Sequence, residues 1–332
     1  AAKRKVRWGV LGTGKIVHKT GPAIVRSGNG IWLGVAGRTP ENGAKMAAQY
    51  GVERAYGHYR ELLEDPEIDA VYIALLNNLH AEWAIKAAEA GKHVLLEKPF
   101  TLNAEEARQI REAARRHGVR VMEAHAWRFH PGHEGVRRMV RQGAIGELVM
   151  MYAHFSFAAD AGSTRLVKEW GGGSLYDVGC YPVAWSRYFM ENEPIEAEGK
   201  AVWDPVRGVD CRFAGTLHFP GGKTAHIASA LDMRLGSFYA LMGTEGRIEV
   251  LFRVTPEELA IVARGPGDKE ARWATDRIEF YARQAEAFAQ AVLDGAEPPY
   301  GPDDAVNNMA VIDALFEADR SGRRVGIVFG KR

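Results

Sequence analysis

The chain has 332 residues, room for about two domains of roughly 150 residues each. Hydrophobic residues make up 46% and charged residues 26%, an ordinary globular composition that excludes a disordered or fibrous protein. Lys plus Arg total 43 against 42 for Asp plus Glu, a formal net charge of +1, so no overall field favours nucleic acid or an anionic membrane.

No apolar stretch approaches the roughly 18 residues that a membrane span needs. The basic start (Lys3, Arg4, Lys5, Arg7) runs straight into an apolar segment and reads as a solvated end. The two cysteines, Cys180 and Cys211, are too few for a disulfide scaffold and lack metal-ligand spacing. Two reduced thiols and no visible signal segment give a cytoplasmic expectation, with a signal removed ahead of Ala1 left open.

The first third alternates short apolar runs with helical patterns. Val6–Leu11 reads as a strand, followed by a Gly-rich turn and a helix. Ile31–Ala36 is a second strand, and Thr39-Pro40 starts a helix with a hydroxyl cap and a proline in the first turn. Ala70–Leu75 is continuously apolar, as in a parallel strand buried on both faces. A helix over Ala81–Ala90 stops at Gly91, and His93–Leu96 is the next strand. Asn103 caps a helix that ends at Gly118, and Val119–Glu123 is another strand. Strand and helix in alternation with short joints predict a doubly wound parallel sheet.

The pattern changes after Glu123. A helix near His133–Gln142 leads into alternating runs at Glu147–Phe157, Glu196–Val202, Cys211–Phe219, Thr224–Leu231, Phe238–Met242 and Arg247–Leu251. Turn signals such as Pro220-Gly221-Gly222 separate them. Two helical patterns, Ile278–Leu293 and Asp303–Arg320, follow. The expected fold is α/β: an N-terminal Rossmann domain over 1–124, then an α+β domain over 125–332 with a large, mostly antiparallel open sheet.

Gly12-Thr13-Gly14-Lys15-Ile16-Val17 nearly matches G-x-G-x-x-G. The first glycine permits the tight turn and the second lets backbone amides approach a pyrophosphate at the helix N-terminus. Val17 stands where Gly or Ala would pack the helix closest. Gly12, Thr13, Gly14, Lys15 and Ile16 are therefore expected cofactor contacts. An NAD site would place a carboxylate about 20 residues on. Here the strand ends in Ala36-Gly37-Arg38-Thr39. Arg38 can pair with a 2′-phosphate and stack on adenine, so Arg38 and Thr39 predict NADP(H) in preference to NAD(H); as a bare residue, Arg38 also reads as a surface charge. Glu97-Lys98-Pro99 lies at the carboxyl end of a strand, where open α/β sheets bind ligands. There Lys98 can hydrogen-bond a substrate hydroxyl and favour its ionised form.

Several blocks together resemble the Gfo/Idh/MocA oxidoreductases. They are Gly12-Thr13-Gly14, Asn77-Asn78-Leu79-His80, the run from Ala90 through Lys98-Pro99, Met122-Glu123-Ala124 with Arg128-Phe129-His130-Pro131, the run from Gly172 through Tyr181-Pro182, and Gly243-Thr244-Glu245-Gly246. The resemblance covers essentially the whole chain. It implies a Rossmann domain followed by an α/β domain whose open sheet is often used for oligomerisation. It also implies an acid/base motif, here Asp177-Val178-Gly179-Cys180-Tyr181; if the segment is helical, both side chains share a face. The Tyr form is similar to the branch of the family that holds glucose–fructose oxidoreductase, sugar ketoreductases, and NADP-dependent xylose and dihydrodiol dehydrogenases.

The resemblance implies that Tyr181 moves the proton, Lys98 orients the oxygen and lowers the Tyr181 pKa, and Asp177 positions substrate or Tyr181. It adds Leu76, Asn77, His80, Glu97, Trp127, Arg128, Arg165 and Tyr281 as cofactor contacts, with Leu75-Leu76 departing from the usual Thr-Pro. The group His125, His130, His133 and Glu123 has no common metal spacing, and no metal is expected. The expected substrate is a monosaccharide or related cyclic polyol. Two further readings share the fold: an aldose–aldose oxidoreductase with tightly bound NADP(H), and a non-catalytic nucleotide-sensing regulator. Phe155, Phe157 and Trp170 read either as sheet core or interface, or as a sugar-stacking surface. An uncovered apolar sheet face predicts a homodimer or homotetramer.

Overall fold

The computed structural model describes residues 4–252 and 258–329; Lys3 of the basic start lies outside them. The first strands and helices are β1 (Val6–Leu11), α1 (Val17–Arg26), β2 (Gly30–Ala36), α2 (Pro40–Tyr50), β3 (Arg54–Tyr56), α3 (Tyr59–Glu64), β4 (Ala70–Ile73), α4 (His80–Glu89), β5 (His93–Leu96), α5 (Ala104–His117) and β6 (Val121–Glu123). Then come α6 (Pro131–Arg141), β7 (Leu148–Ala158), α7 (Cys180–Met190), β8 (Glu196–Trp203), β9 (Asp210–His218), β10 (Thr224–Ala230), β11 (Asp232–Gly243), β12 (Arg247–Phe252), β13 (Leu259–Arg264) and β14 (Glu270–Ala274). Helices α8 (Phe280–Asp294) and α9 (Pro302–Ser321) and the short β15 (Val325–Gly326) complete the order.

Two compact units form. One takes the chain through Phe129 and adds Glu279–Val306; the other takes His130–Ile278 and resumes at Asn307. A contiguous division at 124/125 differs from this, because α8 belongs with the first sheet. Its Ala285, Phe288 and Ala289 are buried in one cluster with Trp8, Val10 and Val35. The Phe288 ring lies 5.5 Å from that of Trp8, and burying such a side chain contributes about 1.5–3 kcal/mol.

The first unit carries a parallel sheet in the order β3-β2-β1-β4-β5-β6, the doubly wound arrangement with its switch point between β1 and β4. The caps act as expected: Thr39 accepts from the Asn42 amide and Asn103 from the Glu106 amide, while Gly118 closes α5 in the left-handed region. Strand β4 stops at Ile73, two residues short of the apolar run. The Ala74 amide still donates to the Leu11 carbonyl at 2.9 Å, and the chain then turns off the sheet toward α4. Strand β6 likewise starts at Val121 instead of Val119.

The second unit carries a sheet in the order β14-β13-β12-β11-β7-β10-β9-β8-β15. Only the β10–β7 pair is parallel. Helix α7 covers one face through Trp185, whose ring stacks on Phe155 at 6.4 Å. The opposite face presents Tyr152, His154, His226 and Phe238 in register across β7, β10 and β11. Strands β3, β13, β14 and β15 and helix α3 were not expected from the sequence. All but β13 are short, marginal or edge elements. In β13 burial alternates along Leu-Ala-Ile-Val-Ala-Arg, a signal as regular as in the strands that were read.

Candidate active site

In the first unit, four chain segments meet the carboxyl edge of the parallel sheet. The first is the loop after β1. Gly12 has φ 107°, and a Cβ there would collide with the Ala74 carbonyl oxygen, so glycine is required. A Cβ at Gly14 would meet nothing within 4 Å, which leaves that backbone open to a ligand. Helix α1 follows with Ile16 as its N-cap and no side-chain capping bond. An uncapped N-terminus beside open glycine backbone is the geometry that receives phosphate. Val17 at the third motif position is fully buried, so the larger side chain is accommodated between helix and sheet.

The second segment follows β2. Arg38 is exposed at its end and acts electrostatically on Tyr59. Thr39 spends its hydroxyl on capping α2. Residues 36–39 include no carboxylate.

The third segment joins β4 to α4. His80 is fully buried. Its Nδ1 faces the Pro99 carbonyl at 2.8 Å and its Nε2 faces the Leu75 carbonyl at 3.2 Å. Burial holds its pKa below the ordinary value, against the pull of these carbonyls, and the ring ties two loops together. Leu76 and Asn77 are half-buried on the same connection.

The fourth segment carries Lys98. The Tyr72 hydroxyl donates to Glu97 Oε1 at 2.5 Å, and the Lys98 amide donates to Glu97 Oε2 at 3.2 Å. Burial first, then the Glu97 charge, push the Tyr72 phenol far above its usual range. Tyr281, at the start of α8, adds to that push, which places it near the Glu97 end of β5. The Lys98–Pro99 peptide is cis. The Phe100 amide donates to buried Glu123 at 2.9 Å. Lys98 is thus held between two carboxylates that fix the backbone on either side of it.

Trp127 and Arg128 are both buried. Arg128 donates to Asp304 at 2.5 Å and lies over the Tyr300 ring at 4.2 Å, so its guanidinium is committed to the start of α9. The His125 ring accepts from Trp127 Nε1 at 3.2 Å.

In the second unit, Asp177 and Tyr181 flank the junction between a π-helical turn, Leu175–Gly179, and α7. Single π turns recur at functional sites. The segment is helical but not uniform: Asp177 sits in the wider π turn and Tyr181 in the first turn of α7. Arg165 Nε donates to Asp177 Oδ2 at 2.7 Å, and its guanidinium lies 5.4 Å from the Phe157 ring. The structure therefore brings Arg165 to Asp177. Tyr181 packs edge-on to Phe155 at 5.1 Å and beside Trp185 at 6.0 Å.

Sequence reasoning missed Tyr72, Glu123 and Asp210. Tyr72 is a polar tip inside an apolar strand, a signal that was available. Glu123 stood only in a family block and in a histidine group read as holding no metal, with no role of its own. Asp210 is 35 residues from the backbone amide that it binds, so no local pattern could mark it. Among the described residues no group of three or more His, Cys, Asp or Glu could hold a metal ion. No described helix is long and apolar enough to cross a membrane.

A doubly wound sheet, a glycine loop at its switch point and a lysine at the β5 edge define a dinucleotide-dependent oxidoreductase. Residues 6–125 match the oxidoreductase family with NAD-binding Rossmann fold, and residues 133–249 match the GFO/IDH/MocA C-terminal domain. The chain belongs to the Gfo/Idh/MocA oxidoreductase family. It is 34% identical to D-xylose 1-dehydrogenase (NADP(+)) 2 of Haloferax volcanii, over 96% of this chain and 98% of that one. An aldose–aldose oxidoreductase from Caulobacter crescentus, solved with glycerol, has a TM-score of 0.90 at 27% identity, covering 98% of this chain and 100% of that one. A 3-ketoreductase from Actinomadura kijaniata, solved with NADP and TDP-benzene, also has a TM-score of 0.90, at 28% identity over 95% of this chain and 98% of that one.

Proposed function

We propose that this protein is an NADP(H)-dependent oxidoreductase of a monosaccharide or related cyclic polyol. The observation that carries the reading is the pairing of an open phosphate loop with Arg38, and no acid, at the end of β2. Gly12–Ile16 would hold the pyrophosphate on backbone amides, and Arg38 would pair with the 2′-phosphate. Thr39, Leu76, Asn77, Glu97, Trp127 and Tyr281 would line the remaining length of the dinucleotide. Arg128 and Arg165 join that set less directly, through the partners that now occupy them. His80 would act through the loops it clamps. The bound nicotinamide supplies the hydride acceptor or donor.

Tyr181 moves the proton of the reacting hydroxyl. A free phenol has a pKa near about 10 and needs a cation to work near neutrality. The reading assigns Lys98 that part, on the same substrate oxygen. Asp177, held by Arg165, orients Tyr181 or the sugar. The residue types find support in the Actinomadura kijaniata enzyme, which has been solved with NADP as a Tyr-to-Phe and as a Lys-to-Ala variant.

The test is reduced-nicotinamide absorbance with NADP⁺ and a panel of aldoses, inositols and deoxysugars, repeated with NADPH and keto sugars. Turnover of one member supports the reading. Silence in both directions with free cofactor overturns it for exchangeable NADP(H). The likeness to the aldose–aldose oxidoreductase supports one second reading, in which cofactor survives purification and two aldoses exchange hydride with none added.

The open face of the large sheet is the proposed seat of a second copy of this chain. Tyr152 and Phe238 remain 43% and 38% exposed there, and Tyr152 stacks on His226 at 5.1 Å. Arg247, Glu249, Arg264 and Glu270 give one rim both signs of charge, which suits a self-complementary contact. Light scattering should give a dimer or tetramer; a monomer would remove this part of the reading.

A further inference from the structure

The segment that carries Asp177 and Tyr181 begins with no cap of its own. Ser174 occupies the N-cap position, but its hydroxyl makes no capping bond to the helix. Instead, Ser174 Oγ donates to Asp210 Oδ2 at 2.7 Å, and the Leu175 amide donates to the same oxygen at 2.8 Å. Ser229 Oγ lies 3.0 Å from Ser174 Oγ. Asp210 opens β9 and Ser229 is near the end of β10. A carboxylate from a distant strand thus takes an orphan donor at the start of the helical segment, where negative charge is favoured.

The glycines of the segment fit around this anchor. Gly173 has φ 127°, and a Cβ there would occupy the space of Asp210 Oδ1. A Cβ at Gly179 would press on Ser229 Oγ at 3.0 Å. The Gly173 amide also donates to the Arg165 carbonyl at 2.9 Å. The loop bearing Arg165 and the turn bearing Asp177 are therefore tied to the same point. Burial pushes the Asp210 carboxyl up to about 6, and the two donors oppose that push, so the contact is a matched one in the fold.

We infer that Asp210 is a positioning residue for the reaction: its carboxylate, with Ser174 and Ser229, fixes the start of the π turn and so sets where Asp177 and Tyr181 stand. The inference rests on the reading of those two residues as the acid/base pair. A side chain moved by about 1 Å from its productive place loses on the order of 100-fold in rate. Asp210→Ala should therefore lower kcat by about 100-fold, while KM for NADP⁺ stays near its wild-type value. Asp210→Asn keeps an acceptor oxygen in the same place and should recover most of kcat.

The experiment measures both variants in the full-length enzyme, with NADP⁺ and the aldose that the wild type turns over in the panel above. Hydrogen exchange of the amides of 175–181 is followed in parallel, and far-UV circular dichroism checks folding. Faster exchange in that segment, together with the kcat loss and the Asn recovery, is the expected result. A folded Asp210→Ala enzyme with wild-type kcat, or with unchanged exchange in 175–181, overturns the inference. If the wild type itself turns over no sugar, the acid/base reading falls, and the exchange measurement alone decides the anchoring. Should Asp210→Ala fail to fold, Ser229→Ala is read by the same two measurements, with faster exchange at 175–181 expected and unchanged exchange overturning the inference.

Discussion

The two units hold the side chains proposed to act by opposite means. In the first, Lys98 is fixed by neighbours in sequence and by the adjoining strand. Glu97 is its immediate neighbour, and Tyr72 lies on β4 directly beside β5. In the second, Tyr181 and Asp177 ride on a segment pinned by Asp210, far along the chain on another element. The difference teaches that a parallel sheet brings its reactive edge together by topology, whereas a helix lying on an antiparallel sheet must be anchored by side chains. Changes near Lys98 should accordingly act locally, and changes under α7 should act at a distance.

The largest expected effect is on the second unit. Tyr181→Phe removes the proposed proton carrier and should lower kcat by about 10²–10⁴-fold with NADP(H) affinity kept. A Phe variant of wild-type rate, measured by the same absorbance assay, would transfer the acid/base role to another group. The first unit is next. Phe288→Ala empties a fully buried site against Trp8 and should cost about 3–5 kcal/mol of stability, read from urea melts. A cost under about 1 kcal/mol would mean that α8 collapses onto the sheet without penalty.

Arg38→Ala sharpens the cofactor side. A lost charge-assisted hydrogen bond is worth about 1.5–3 kcal/mol, so KM for NADP⁺ should rise by about 10- to 100-fold while KM for NAD⁺ stays constant. Equal losses for both would remove Arg38 from the 2′-phosphate.

The smallest effect is one of pH. Burial, then the neighbouring His130, hold the His133 pKa well below the usual histidine value. The folded state therefore refuses a proton that the unfolded chain accepts. Stability is whole above the ordinary pKa of about 6.5 and falls as pH drops below it, by about 1.4 kcal/mol per pH unit for one such group. Asp210 has the opposite sign. Its folded pKa, raised to about 6, makes the native state take up a proton first, so it adds stability as pH falls from about 6 toward the unfolded carboxylate range. His133→Gln should flatten the decline between pH 7 and 5 in thermal melts. An unchanged slope would show that another group carries it.

The same contrast explains what the sequence revealed. The glycine loop, the Thr39 and Asn103 caps and the strand-end Lys98 each depend on residues a few positions apart, so pattern alone located them. Asp177 and Tyr181 were located by resemblance, but the π turn that holds Asp177 was not, because it depends on packing against β9 and β10. Arg165 was expected at the cofactor, and its ion pair with Asp177 became visible only when the loop folded back on the segment. Helix α8 was visible as a helix, yet no periodicity in it says which sheet its Phe288 face covers. The edge strands β14 and β15 bury little, and short runs of that kind leave only a weak pattern.

The return of α8 to the first sheet also bears on how the protein is made. A ribosome releases the strands of that sheet early, but the helix that shields Trp8 and Val10 belongs to Glu279–Val306, roughly 150 residues after Phe129. At about 5–20 residues per second, one patch of the sheet waits about 7–30 s, uncovered, for its last helix. Through that interval the nascent chain presents a greasy surface to whatever escorts newborn proteins, and the first unit matures only once Glu279–Val306 has been made.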